Sequence, residues 1–231
     1  MCQESLVWLR RGTLCRTVDI YERHADAWIE ARLREGSLYE RGWLDRFCAL
    51  VPAGGSMLDI GCGAGEPIAR YLSERGYAVT GIDSSPAMIA RFRARLSGRK
   101  ALVADMRTLS LGRLFHGILA WDSFFHLNHE DQRRMFPIFA AHAVPGAALM
   151  FTSGPAHGEA IGRLEGEPLY HASLDPAEYR QLLEDGGFAV VATMAEDQTC
   201  GGRTVWLAQC RWRIAARRQE AAPASFAGSS P

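Results

Sequence analysis

Met57-Leu58-Asp59-Ile60-Gly61-Cys62-Gly63-Ala64-Gly65-Glu66 is the stretch that decides how this chain folds. Met57 to Ile60 reads as a buried strand, the three alternating glycines as a turn, and Glu66 to Ser73 as a helix. Glycine permits positive φ and lets a ligand approach the main chain where a Cβ would intrude. The unpaired N–H groups of the helix start face the same space, which suits a ligand carrying acceptor oxygens. Pro67 fits the first helical turn, where its missing N–H has no partner to lose.

The neighbours narrow the reading. A dinucleotide site asks for Gly-x-Gly-x-x-Gly and an acid about twenty residues on. Here the spacing is Gly-x-Gly-x-Gly, and Asp59 precedes the first glycine by two residues. An acid so close to the turn repels a pyrophosphate, but it can orient the loop and attract a cation. Tyr77 to Ile82 reads as a second strand ending in Asp83, and Ala101 to Ala104 as a third ending in Asp105-Met106. A carboxylate at the end of the second strand can accept from two ribose hydroxyls. This set of glycines and acids resembles motif I and the later cofactor motifs of class I S-adenosylmethionine-dependent methyltransferases of the small-molecule type.

That resemblance implies an α/β fold. The expected architecture is a doubly wound, seven-stranded, mostly parallel sheet with one antiparallel strand, helices on both faces and an N-terminal lid helix. It implies S-adenosyl-L-methionine as cofactor and S-adenosyl-L-homocysteine as product. The implied cofactor residues are Asp59, Gly61, Cys62, Gly63 and Gly65 in and before the turn, Asp83 and Ser84 for the ribose, and Met88, Asp105 and Met106 around the adenine. Trp121, at the end of the fourth strand, and Tyr21 and Trp28, on a helix before the first strand, complete the set.

Bulk properties bound the function. At 231 residues one core can serve the whole chain. Lys plus Arg and Asp plus Glu both number 26, so no net positive field is available of the kind that nucleic-acid binders usually need. Six cysteines are scattered with no Cys-x-x-Cys and no Cys/His spacing suited to zinc, so reduced thiols, a cytoplasmic location and no metal are expected. No run of about twenty apolar residues suggests a membrane span. The boundaries read as a flexible leader over 1–17, a methyltransferase domain over 18–213 and a disordered tail over 214–231, rich in Arg, Gln, Ala, Pro, Gly and Ser.

Val18 to Arg34 has helical spacing, and Tyr39 to Leu50 forms a second helix with Trp43, Leu44 and Phe47 as its core face. Ser84-Ser85-Pro86 opens a helix with a hydroxyl cap, and Asn128 caps another over Glu130 to Ala143. His116 to Trp121 and Ala147 to Thr152 are the fourth and fifth strands. Asp175-Pro176 starts the last helix, and Phe188 to Ala195 with Thr204 to Trp212 forms the closing antiparallel pair.

Asp122-Ser123-Phe124-Phe125-His126 follows the fourth strand at the edge where open parallel sheets bind ligands. It occupies the family's motif IV. Methylases of exocyclic base amines usually carry Asn/Asp-Pro-Pro-Tyr/Phe there, and the departure points away from nucleic acid. Two aromatics and a histidine suit a small, partly apolar acceptor, with Phe125 in contact. An imidazole of unperturbed pKa near 6.5 can take a proton near pH 7, which makes His126 the candidate base and Asp122 its orienting acid. Residues 154–173 show no period and read as a lid loop over the substrate, with Tyr170 and His171 as contacts.

The expected activity is methyl transfer to an O or N nucleophile of a small molecule by a monomer or homodimer. The alternatives are a tRNA or rRNA methyltransferase, a non-catalytic cofactor-binding protein and a nicotinamide dehydrogenase.

Overall fold

The computed structural model describes residues 16–34 and 38–211. The proposed tail and nearly all of the leader lie outside the described residues. The leader's last two positions are described: residues 16–23 form helix α1, and Thr17 is buried. The helix read over 18–34 turns at His24 into α2 (Ala25–Arg34), then α3 (Arg41–Cys48) leads to β1 (Ser56–Ile60). There follow α4 (Ile68–Glu74), β2 (Ala78–Asp83), α5 (Pro86–Arg95), β3 (Lys100–Val103), β4 (Phe115–Ala120) and α6 (His129–Ala141). The remaining elements are β5 (Ala143–Ser153), β6 (Gly158–Leu164), β7 (Glu167–Ser173), α7 (Pro176–Asp185), β8 (Phe188–Asp197) and β9 (Arg203–Cys210).

The seven-stranded sheet has the order β3-β2-β1-β4-β5-β9-β8, with β9 antiparallel to both neighbours. Continuous apolar runs explain its centre, since strands covered on both faces cannot alternate. Leu58 and Ile60 pack with Phe136, Phe139 and Tyr179 of α6 and α7. Met57 and Val79 pack on the other face with Phe47, Leu72 and Phe92 of α3, α4 and α5. Phe151 stacks on Trp206 across the β5–β9 pair at 6.0 Å and 8°, which adds about 0.5–1.5 kcal/mol beyond area burial.

Several boundaries moved. Pro67 is the cap of α4, so that helix starts two residues later than the glycine motif suggests. β5 begins at Ala143 and carries Pro145-Gly146 inside it, within a register shift against β4. The larger correction concerns residues 154–173, which are not a structureless lid loop. β6 and β7 pair from Gly158↔Ser173 to Leu164↔Glu167 as a hairpin closed by Glu165-Gly166, both at positive φ. Two residues of that conformation match the twist of the flanking strands. Most of β6 is exposed, so it never shows the apolar alternation by which a strand is recognised.

Candidate active site

The carboxyl ends of β1, β2 and β4 surround a cleft lined by both apolar and polar side chains, the mix that small-ligand sites use. Asp83 ends β2 inside it. One carboxylate oxygen accepts the Gly63 N–H (3.0 Å) and the other the Ser85 N–H (2.9 Å). Burial pushes the Asp83 carboxyl up, and these two backbone donors oppose the shift. Ser85 caps α5 through Met88 N–H, which places the apolar Met88 side chain on the cleft wall with Met106. Ser84 lines the same wall.

The glycines divide their labour. A Cβ on Gly61 would lie 2.2 Å from Ser123 Cβ, and one on Gly65 2.6 Å from the Phe92 ring. Gly61 therefore lets the β4 loop close on β1, where Ser123 Oγ donates to the Ile60 carbonyl (2.6 Å). Gly65 lets α5 close on the turn and is not a cleft residue. Of the three, Gly63 alone combines positive φ with a side that a Cβ could occupy, 3.4 Å from the Trp28 ring.

Four other expected cofactor residues stand apart from the cleft. Asp59 is 4% exposed under the turn, and burial, then the charge of Asp83, raises its pKa to about 7. A carboxyl so placed is no lure for a cation. Cys62 fills the space above Gly81, where a Cβ would meet its Sγ at 2.6 Å; burial pushes its thiol up. Trp121 packs into the core with Leu119 and Met150, its indole N–H without a partner among the described residues. Asp105 faces a neighbouring groove with Val18, Asp19 and Ser84. Although burial pushes its carboxyl up, the Arg107 side chain and N–H hold it below its ordinary value.

At the β4 edge, His126 is 6% exposed with both ring nitrogens engaged. A carbonyl can only accept, so Nδ1–H donates to Tyr170 O (3.0 Å) and Nε2 accepts from the Tyr21 hydroxyl (3.1 Å). Burial, then neighbouring His171, lowers the His126 pKa to about 3. Burial also raises that of Tyr21, with Asp122 and Asp83 adding to it. Both groups are neutral near pH 7. Asp122 does not orient the imidazole. Its carboxylate is held by Arg203 (2.8 Å), its N–H by Thr152, and its φ of 48° turns the chain out of β4. Phe125, His126 and His171 form a wall of rings with centroids 4.8–4.9 Å apart.

The roof over this cleft is α1 and α2. Tyr21 and Trp28 meet edge to face at 6.0 Å. Glu22 accepts from Ser85 Oγ and from Ala87 N–H (3.0 Å), Asp26 pairs with Arg91 (2.6 Å), and Glu167 of β7 takes Arg23 (2.5 Å) and His24 (2.7 Å). The two partners lower the Glu167 pKa to about 2, Arg23 contributing most. Thr17, Val18, Ser85 and Ser123 also line the cleft, and sequence reasoning missed them. Only the cap motif at Ser85 carried a local signal.

Residues 57–146 match a family model described as a methyltransferase domain. A dTDP-3-amino-3,6-dideoxy-alpha-D-glucopyranose N,N-dimethyltransferase of Streptomyces fradiae is 32% identical over 122 residues, covering 50% of this chain and 47% of that protein. The chain spans less than half the length of the curated relatives it matches. Among solved structures, the complex of DhpI with S-adenosylhomocysteine superposes with a TM-score of 0.67 at 18% identity, covering 87% of this chain and 98% of that one. CalS10 bound to S-adenosylmethionine, an amino pentose methyltransferase of Micromonospora echinaspora, gives 0.64 at 20%, covering 80% and 96%. The fold is that of the class I methyltransferases. Within this methyltransferase fold, the matched segment runs from the start of β1 into β5, so it contains Asp83 and His126 but not the hairpin that supplies Tyr170. Among the described residues, no helix is long and apolar enough to cross a membrane.

Proposed function

We propose that this protein is an S-adenosylmethionine-dependent methyltransferase acting in the cytoplasm, as a monomer or homodimer, on the nitrogen of a small amine. The observation that carries the reading is Asp83, a carboxylate fixed by two backbone N–H groups at the end of β2 in a cleft walled by Met88 and Met106. These residues fit the cofactor. Asp83 retains lone pairs for two ribose hydroxyls, the methionines offer an apolar slot for adenine, and Gly63 leaves the main chain bare under Trp28. S-adenosylmethionine, when bound, supplies a methyl group already electrophilic on its sulfonium sulfur.

The chain's own task is to hold a nucleophile in line and keep water out. Tyr21 and His126 are suited to the first part. The Tyr21 proton is committed to His126 Nε2, which leaves the phenol oxygen as an acceptor for a substrate N–H. An N–H donated to that oxygen orients the acceptor nitrogen, whose free lone pair then carries the attack. An imidazole with a pKa of about 3 does not retain a proton taken from an ammonium ion, so His126 acts as an orienting acceptor rather than as a base working near pH 7. Arg23, His24 and Glu167 hold the roof that excludes water. An amine acceptor is also supported by the amino-sugar relatives.

The test is calorimetric titration with S-adenosylmethionine and S-adenosylhomocysteine, followed by a screen of amines for release of S-adenosylhomocysteine. Micromolar binding that weakens by at least about 30-fold in Asp83→Ala is expected, corresponding to about 2 kcal/mol for lost charge-assisted bonds. Absence of binding in a folded protein refutes the proposal.

A further inference from the structure

Two carboxylates line the cleft, Asp83 and Asp122, and the chain treats them differently. Asp83 accepts from two backbone N–H groups, whereas Asp122 is matched by a full opposite charge. Arg203 donates to it from Nη2 at 2.8 Å and from Nε to both oxygens at 3.2 Å. The charge of Asp122 is felt inside the cleft: after burial, it is the next cause that raises the pKa of the Tyr21 hydroxyl.

Arg203 lies 81 residues beyond Asp122, at the start of β9, and several groups fix its guanidinium. A 3₁₀ turn over Gln198–Cys200 precedes it, and Gly201 follows that turn at a φ of 69°. A Cβ on Gly201 would lie 2.2 Å from Arg203 Nη1, and the Gly201 carbonyl accepts from that same nitrogen at 3.0 Å. Asp197 anchors the turn to α3 by accepting from the Trp43 indole N–H at 2.8 Å. The guanidinium also stacks on the Tyr39 ring at 4.7 Å, and Arg32, matched by the wholly buried Glu40, lies over that ring at 4.2 Å. A partly buried ion pair adds little net stability, so its effect on the field in the cleft is the larger consequence.

S-adenosylmethionine and S-adenosylhomocysteine differ by one methyl group and one positive charge. A bare carboxylate in this cleft favours the charged form, and it does so in the ground state, where extra binding lowers no barrier. The same bare charge gathers amines as ammonium ions, which lack the lone pair that attack requires, and His126 is too weak a base to free it. A carboxylate already matched by a guanidinium does neither. We infer that Arg203 is a positioning residue of this site, acting through Asp122: it cancels the carboxylate's charge, so the cleft takes its charged cofactor and neutral product with no added preference for cations. The inference rests on the methyltransferase reading and deepens it.

The test is calorimetric titration of S-adenosylmethionine and S-adenosylhomocysteine into the wild type, Arg203→Gln, Asp122→Asn, the double variant and Arg203→Lys, with folding checked by circular dichroism. The readout is the ratio of the two Kd values, which cancels any loss of fit common to both ligands. Arg203→Gln bares the carboxylate and is expected to move the ratio toward S-adenosylmethionine by about threefold or more. Asp122→Asn bares the guanidinium and moves it about as far the other way. The double variant and Arg203→Lys, in which charge is balanced, stay within about twofold of the wild type. Unmoved ratios in both single variants, or shifts of the same sign, overturn the inference and leave the pair as packing alone. If Arg203→Gln fails to fold, the shift of Asp122→Asn away from S-adenosylmethionine decides. Failure of the folded wild type to bind either ligand refutes the cofactor reading instead.

Discussion

The half of the cleft built on β1 and β2 and the half built on β4 and the hairpin are assembled by different means. In the first, Asp83 and the turn meet through short-range geometry: one strand ends, the next loop donates its N–H groups, and a capped helix follows. In the second, Tyr21, His126 and Tyr170 come from three segments far apart in the chain and meet through side chains and one carbonyl. A site of the first kind is written in a motif. One of the second kind exists only after the roof and the hairpin have docked.

The largest effect is expected where the two halves touch. Gly61→Ala places a Cβ 2.2 Å from Ser123 at a φ of 75°, and should destabilise the fold by at least about 3 kcal/mol in urea denaturation. Gly63→Ala, with 3.4 Å to Trp28, should cost about 1–2 kcal/mol. Equal losses would mean that the turn is not shaped by Ser123. Next comes a contrast within the first half. Asp83→Ala should weaken S-adenosylhomocysteine binding by at least about 30-fold, whereas Asp105→Ala, whose carboxylate Arg107 already holds, should change it less than about threefold. A reversed order would return Asp105 to the cofactor.

In the second half, His126→Asn and Tyr21→Phe should lower kcat/KM about tenfold or more with cofactor affinity nearly intact. The rate should show no inflection near pH 6.5 from His126. Stability follows from the same shift. The folded-state pKa of about 3 lies below the unfolded 6.5, so the neutral ring is compatible with the fold above pH 6.5 and stability is lost as pH falls toward 3. Asp59 runs the other way. Its carboxyl is raised from 3.8 to about 7, so its contribution is full below pH 3.8 and is lost as pH rises through 7. Denaturation of His126→Asn and Asp59→Asn across pH 4–8 should flatten opposite slopes. The smallest change is Glu167→Gln, which removes a solvent-screened pair and is read as faster release of S-adenosylhomocysteine with little change in Tm. Unchanged release would leave the roof held by Glu22 and Asp26 alone.

Legibility tracked locality. The capped helices at Ser85 and Asn128, and Asp83 at the end of its strand, were readable because a few consecutive residues fix each one. Asp59, Cys62, Gly65 and Trp121 belong to the same motifs yet turn away from the cleft. A strand alternates faces, and which face meets the ligand depends on what covers the other. The hairpin escaped because an exposed strand has no reason to alternate, and Glu165-Gly166 was its one local mark.

The sequence by itself determined the α/β architecture, the glycine turn and the carboxylate at its side, since backbone sterics and apolar periodicity act over a few residues. Only the tertiary structure decided that Asp122 serves Arg203, that Asp59 is sealed beneath the turn, and that His126 is a weakly basic ring held between Tyr21 and Tyr170. Those roles depend on desolvation and on partners 105 and 44 residues away, and no local pattern encodes either.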